Sequence, residues 1–115
     1  AAENFFKEHF VLNYCPLLFL EESGRNYPQD KLKSSLRKGI ESLCDQYLIQ
    51  MLACLQPQWV VAVGGYAETC LQRIHALSGR DWNYTRILHP SPANPQANQA
   101  WPEKATQQLK SACVW

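Results

Sequence analysis

Long apolar runs are missing from this sequence. Its longest, Cys15-Pro-Leu-Leu-Phe-Leu20 and Trp59-Val-Val-Ala-Val63, fall far short of the roughly 20 residues that cross a bilayer. The first residues carry no basic region followed by an apolar stretch, so no secretory signal is expected at them. An excess of one charge is missing too. Eleven basic and ten acidic residues leave a net charge of +1, and so weak a field does not hold a chain on an anionic polymer. Any nucleic-acid contact therefore has to be local. The five cysteines, Cys15, Cys44, Cys54, Cys70 and Cys113, never form Cys-x-x-Cys, and His9, His75 and His89 are widely separated. A zinc or iron-sulfur site wants paired close spacings, so no metal is expected. An odd set of thiols among apolar or helix-forming neighbours reads as buried cysteines in a reducing compartment. Gly-x-Gly-x-x-Gly and Gly-x-x-x-x-Gly-Lys-Ser/Thr are both absent, so no nucleotide cofactor has a motif here.

What is present is a globular composition, 46% apolar and 18% charged, over 115 residues, a length suited to about one domain. His9 to Leu20 is almost unbroken apolar sequence around Asn13, the pattern of a strand covered on both faces. Glu21 to Gln29, with Ser23-Gly24, Asn26 and Pro28, reads as a loop. Leu32, Leu36, Ile40, Leu43 and Tyr47 then fall within a stripe roughly 80° wide on a helical wheel. That spacing predicts a helix capped by Asp30, buried along the stripe, and stopped near Leu55 by Pro57. Lys31, Lys33, Arg37 and Lys38 spread around its polar side, as a solvated face does.

Trp59 to Val63 predicts a second strand, Gly64-Gly65 a turn, and Tyr66 to Leu77 a helix. A third strand over Tyr84 to Leu88 ends at His89, and a last helix follows from Pro102 to about Cys113. Between them, His89 to Asn98 has three prolines in ten residues and cannot be regular structure. This alternation argues for a parallel sheet with helices on its faces, and ligands of such sheets bind beyond the carboxyl ends of the strands. Asn13, Gly64-Gly65 and His89 all lie within or just after strands, so they are candidates for one shared site.

Each has a plain alternative. An imidazole leading a proline-fixed loop can donate a hydrogen bond to an anion developing on a substrate, or merely cap a strand. Asn13, if buried, needs its amide satisfied by backbone, water or ligand. Gly64-Gly65 can bring backbone N–H groups to a phosphate at a helix start, yet a tight turn needs glycine with no ligand at all. A nucleophilic pairing of Cys70 with His89 is disfavoured, because Cys70 lies on the apolar stripe of its helix.

The stretch His89-Pro-Ser-Pro-Ala-Asn-Pro-Gln-Ala-Asn98, with Trp101 following, resembles the second active-site motif of the single-strand-selective monofunctional uracil-DNA glycosylases. Phe10-Val-Leu-Asn-Tyr-Cys-Pro-Leu-Leu-Phe-Leu20 with Ser23-Gly-Arg-Asn26 resembles the family's base-reading strand and following loop, and Val61-Ala-Val-Gly-Gly-Tyr-Ala-Glu68 its glycine turn. The resemblance implies a three-layer α/β/α sandwich around a parallel sheet, of which residues 1–115 would be a carboxyl-terminal part. It implies an enzyme of base-excision repair, working in the nucleus as a monomer without metal or other cofactor. Its partner would be single- or double-stranded DNA containing uracil or an oxidised uracil such as 5-hydroxymethyluracil, with no membrane role. Asn13 matches the residue that reads the pyrimidine, and His89 the histidine that supports the departing base. Gly64, Gly65, Pro90, Ser91, Pro92, Ala93, Asn94, Pro95 and Gln96 match the DNA contacts. Two departures qualify the match. Ala93 stands where vertebrate members carry an arginine in the loop that enters DNA, and no Asn-Pro-Gly-Pro-Phe-Gly-like first motif occurs in these residues. A truncated, non-catalytic DNA-binding or regulatory module is therefore the alternative. A sheet lacking its first strands is also expected to expose an edge and to be poorly stable.

Overall fold

The computed structural model describes residues 2–16, 22–24, 33–78, 82–90 and 100–115. They form α1 (Ala2–Phe5), α2 (Ser34–Leu55), β1 (Trp59–Val63), α3 (Gly65–Ser78), β2 (Asn83–Ile87) and α4 (Trp101–Ser111). The chain divides into two compact units, Ala1–Leu48 and Ile49–Trp115.

In the second unit β1 and β2 pair in parallel, with Trp59 opposite Asn83 and Val63 opposite Ile87. The crossover between them is α3, so strand, glycine turn, helix and strand make a βαβ unit, as the sequence pattern predicts. The parallel sheet is therefore found as a pair of strands among the described residues. Cys70, Leu71 and Ile74 are the buried positions of α3, spaced by 1, 3 and 4 along one helical face. The opening of β2 packs on α3 through three rings: His75 lies 4.7 Å from Trp82 and 5.2 Å from Tyr84. Beside β2, Ile87 packs with Ala105 and Leu109 of α4, flanked by Val61, Trp101 and Val114.

Helix α2 ends at Leu55, where Gln56 turns to φ 48° and donates its N–H to Leu52 O at 2.9 Å. That left-handed exit followed by proline is a standard stop, and it agrees with the predicted boundary. The predicted buried face does not agree. Leu36 and Leu43 are 55% and 62% exposed, whereas Cys44, Leu48 and Leu52 are buried. The helix is apolar on more than one side, and the occupied side is turned by roughly 120° from the 36/40/43/47 stripe. Periodicity alone could not choose between them. Asp30, Lys31 and Leu32 lie outside the described residues.

In the first unit the expected strand over His9 to Leu20 is not found among residues 9–16, which are irregular, with Phe10 and Val11 exposed. Residues 17–20 lie outside the described residues. An apolar run records a demand for burial, but a strand also needs a neighbour to take its backbone N–H and C=O groups. The segment is instead tied to α2 by a side chain. Tyr14 Oη lies 2.5 Å from Asp45 Oδ1 and 3.1 Å from the carbonyl oxygen of Glu41, and the carboxylate is the stronger acceptor for its single proton. Asp45 is only 8% exposed, so this bond meets a need that burial of a carboxylate creates. Of the five cysteines, Cys44 and Cys70 are buried as expected, Cys15 is half-buried, and Cys54 and Cys113 are exposed. The last two correct the expectation of uniformly buried cysteines: both sit near helix ends, where the apolar face runs out.

Candidate functional site

The chemistry-bearing residues of the second unit gather at the carboxyl ends of its two parallel strands. Gly64 follows the last residue of β1, and His89 stands two residues past the last of β2. Because Val63 and Ile87 are register partners, the two exits lie side by side. Gly64 N–H donates to Ile87 O at 3.0 Å, extending the ladder by one bond, and Gly64 O accepts from Glu68 N at 3.2 Å to begin α3.

Gly64 has φ 93°, a conformation that side chains rarely adopt, and it also lies beneath the histidine. A Cβ at Gly64 would sit 3.2 Å from His89 Cβ, 3.4 Å from Cδ2 and 3.6 Å from Cγ. The ring therefore rests on the glycine backbone, and His89 as a residue is exposed at the strand mouth. Of the three places expected to share a site, Gly64 and His89 are brought together here. Gly64 serves as the ring's seat, and its N–H is already engaged by Ile87 rather than offered to a phosphate.

Gly65 differs in kind. It is the first residue of α3, and a Cβ there would meet only Arg86 Nη1, at an ordinary 3.8 Å. Arg86 in turn pairs with Glu68 at 3.3 Å, a half-exposed ion pair beside the strand exits. Pairs so exposed contribute little to stability. Thr69 Oγ1 donates back to Gly65 O at 3.0 Å, reinforcing the first turn of the helix.

Pro90 is described and exposed directly after His89, whereas Ser91, Pro92, Ala93, Asn94, Pro95 and Gln96 lie outside the described residues. Asn13 belongs to the first unit. It is exposed and stands in irregular chain, a correction to the buried-strand setting expected for it. Its neighbour Tyr14 is anchored on Asp45. Sequence reading missed Tyr14 because its partner lies 31 residues away. Cys70 is 1% exposed, which leaves a nucleophile no path of attack there. Among the described residues no three His, Cys, Asp or Glu side chains gather as a metal ion would require, and no helix is long and apolar enough to cross a membrane.

No protein-family model matches the chain. Its similarity to individual proteins is substantial. It is 40% identical over 106 residues to the single-strand selective monofunctional uracil-DNA glycosylase of Rattus norvegicus, covering 92% of this chain and 38% of the rat protein. The Mus musculus protein of the same description is 39% identical over 106 residues, with the same coverage. The Bos taurus protein is 38% identical over 107 residues, covering 93% of this chain and 39% of the bovine one. The chain thus spans under two fifths of the length of the curated relatives it matches.

Proposed function

We propose, on the premise that this chain is a relative of the single-strand selective monofunctional uracil-DNA glycosylases along more than nine tenths of its length, that it carries the base-reading and leaving-group half of such an enzyme's chemistry. On this reading the parent domain is a three-layer α/β/α sandwich that flips uracil, or an oxidised 5-substituted uracil, out of DNA in the nucleus and hydrolyses its N-glycosidic bond. It acts as a monomer and starts base-excision repair.

Cleaving that bond leaves the bonding electrons on the uracil ring and cationic character on the sugar. A hydrogen-bond donor beside the ring oxygen lowers the barrier by stabilising charge that exists only as the bond breaks. His89 is assigned that role. Asn13 is assigned the reading of the pyrimidine edge, because a carboxamide carries both a donor and an acceptor and so matches the alternating edge of uracil. Gly65 and Pro90 to Gln96 are assigned to DNA and Gly64 to seating the His89 ring, with the proline-fixed loop offsetting the few kcal/mol that unstacking a base costs. Ala93 supplies no cation to fill the vacated stack, which favours single-stranded over duplex substrates.

The observation that carries this reading is an exposed imidazole seated on a side-chain-free backbone at the carboxyl mouth of two parallel strands, the place where such sheets do their chemistry. The test is uracil release from a single-stranded deoxyuridine oligonucleotide by the full-length parent protein and by the same protein carrying His89→Leu. Release is expected to fall by about 100-fold or more, as when a preorganised donor to a developing oxyanion is removed, while oligonucleotide binding changes little. Equal release by both proteins would remove His89 from the mechanism.

A further inference from the structure

Beyond Ile87 the ladder of β2 has run out, because register pairing ends at Val63 opposite Ile87. The next peptide groups would ordinarily turn to water. They turn instead to α4. Leu88 N–H donates to Gln108 Oε1 at 3.0 Å, and Leu88 O accepts from Trp101 Nε1 at 2.6 Å. The residue before His89 is therefore gripped at its donor and its acceptor by two side chains of one helix.

That grip is available because of where α4 packs. Trp101 and Gln108 are seven residues apart, two helical turns, so they project from nearly the same line along the helix. Ala105 and Leu109 beside that line are buried against Ile87, and Trp101 packs against the same cluster. The apolar contact sets the helix at the strand end, and the two polar atoms then meet the N–H and the C=O of Leu88, which lies past the register pairing. Leu88 O belongs to the same planar unit as His89 N, so a bond to that oxygen fixes the plane from which His89 departs. Gly64 bounds the ring from below.

We propose that Gln108 and Trp101 are positioning residues for His89: by holding both polar groups of Leu88 they fix the direction in which the imidazole leaves β2 and keep it on Gly64. Neither residue need touch a substrate. In water the strand end would sample several directions, and a donor that must meet a developing charge would have to be ordered at the moment of reaction. The clamp does that ordering during folding. The meaning for catalysis rests on the proposed role of His89, whereas the positioning itself does not.

The test therefore reads the histidine and not the rate. In the 115-residue chain, hydrogen exchange at the Leu88 amide and the ring proton and carbon signals of His89 are followed by NMR, with His89→Leu identifying those signals. Gln108→Leu removes the acceptor at similar size, Gln108→Glu keeps an oxygen in place, and Trp101→Phe keeps an aromatic ring but removes the donor. Gln108→Leu is expected to speed Leu88 exchange by about tenfold, what one hydrogen bond is worth. It should also shift or split the His89 ring signals while leaving those of His75 in place. Gln108→Glu should restore both, and Trp101→Phe should move the His89 signals. His89 signals unchanged in both Gln108→Leu and Trp101→Phe would overturn the proposal, as would fast Leu88 exchange in the unsubstituted chain. Should Gln108→Leu fail to fold, Trp101→Phe decides. Uracil release by His89→Leu is a separate result, so failure of the glycosylase reading and failure of the clamp are told apart.

Discussion

Two adjacent glycines of the strand exit have different reasons to be glycine, and the difference can be measured. Gly64 combines φ 93° with a Cβ position 3.2 Å from His89 Cβ. Either property penalises a side chain: the backbone strain is worth roughly 1–3 kcal/mol, and the contact obliges the histidine to move. Gly65 has ordinary helical geometry and only an arginine tip at 3.8 Å, so alanine there relieves the cost of a glycine in a helix, up to about 1 kcal/mol. Gly64→Ala is accordingly expected to lower the thermal unfolding midpoint by several degrees, and Gly65→Ala to hold or raise it. Equal losses in the two would show that the turn, rather than the ring contact and φ, sets the requirement. In the sequence the pair reads as a tight turn or as a close approach to a phosphate, with nothing to separate its two members. Which of the two carries the constraint was hidden because the partner ring arrives from 25 residues further along, through a register that only the folded strands define.

At the scale of elements, α4 ends in a motif whose weak point is visible. Val114 N–H donates to Leu109 O at 3.0 Å and Cys113 N–H to Lys110 O at 3.1 Å, the 6→1 and 5→2 bonds of a Schellman ending. Val114 then packs against the Ile87, Ala105 and Leu109 cluster, the apolar contact that accompanies such endings. The position between helix and Val114 takes φ 63° and is occupied by Cys113, where glycine is usual. Left-handed backbone costs a side-chain-bearing residue about 1 kcal/mol or somewhat more. Cys113→Gly is therefore expected to stabilise the chain by about 1 kcal/mol, seen as a higher unfolding midpoint, and a lower midpoint would refute the assignment. Elements with local signals were legible in this way from sequence. Pro57 placed the end of α2, glycine and alternating period placed the β1–α3–β2 unit, and Pro102 placed the start of α4, each within a few residues. Features set by distant partners were not legible. The run around Asn13 announces apolarity but not the irregular backbone of residues 9–16, and α2 offers two apolar sides of which contacts, not periodicity, selected one.

At the scale of the whole 115-residue chain, charge limits how DNA could be held under the proposed function. Eleven basic residues against ten acidic leave no general positive field, and Arg86, beside the strand exits, is already paired with Glu68. A protein that binds mainly through phosphates releases a counterion for each one it neutralises, so its affinity falls steeply with salt, by about −0.7 in log–log slope per phosphate on single strands. The reading developed for this chain relies on a base edge met by Asn13, a ring oxygen met by His89 and an inserted loop, none of which releases counterions. Binding to a fluorescent single-stranded deoxyuridine oligonucleotide is therefore expected to show a shallow slope, no steeper than about −3, equivalent to about four phosphates at most. Between roughly 50 and 200 mM salt that amounts to at most about a 60-fold loss of affinity. A slope near −5 or beyond, unchanged when uracil is replaced by thymine, would mean that the backbone rather than the base is being read. It would leave the exposed imidazole on its glycine seat without the ligand assigned to it.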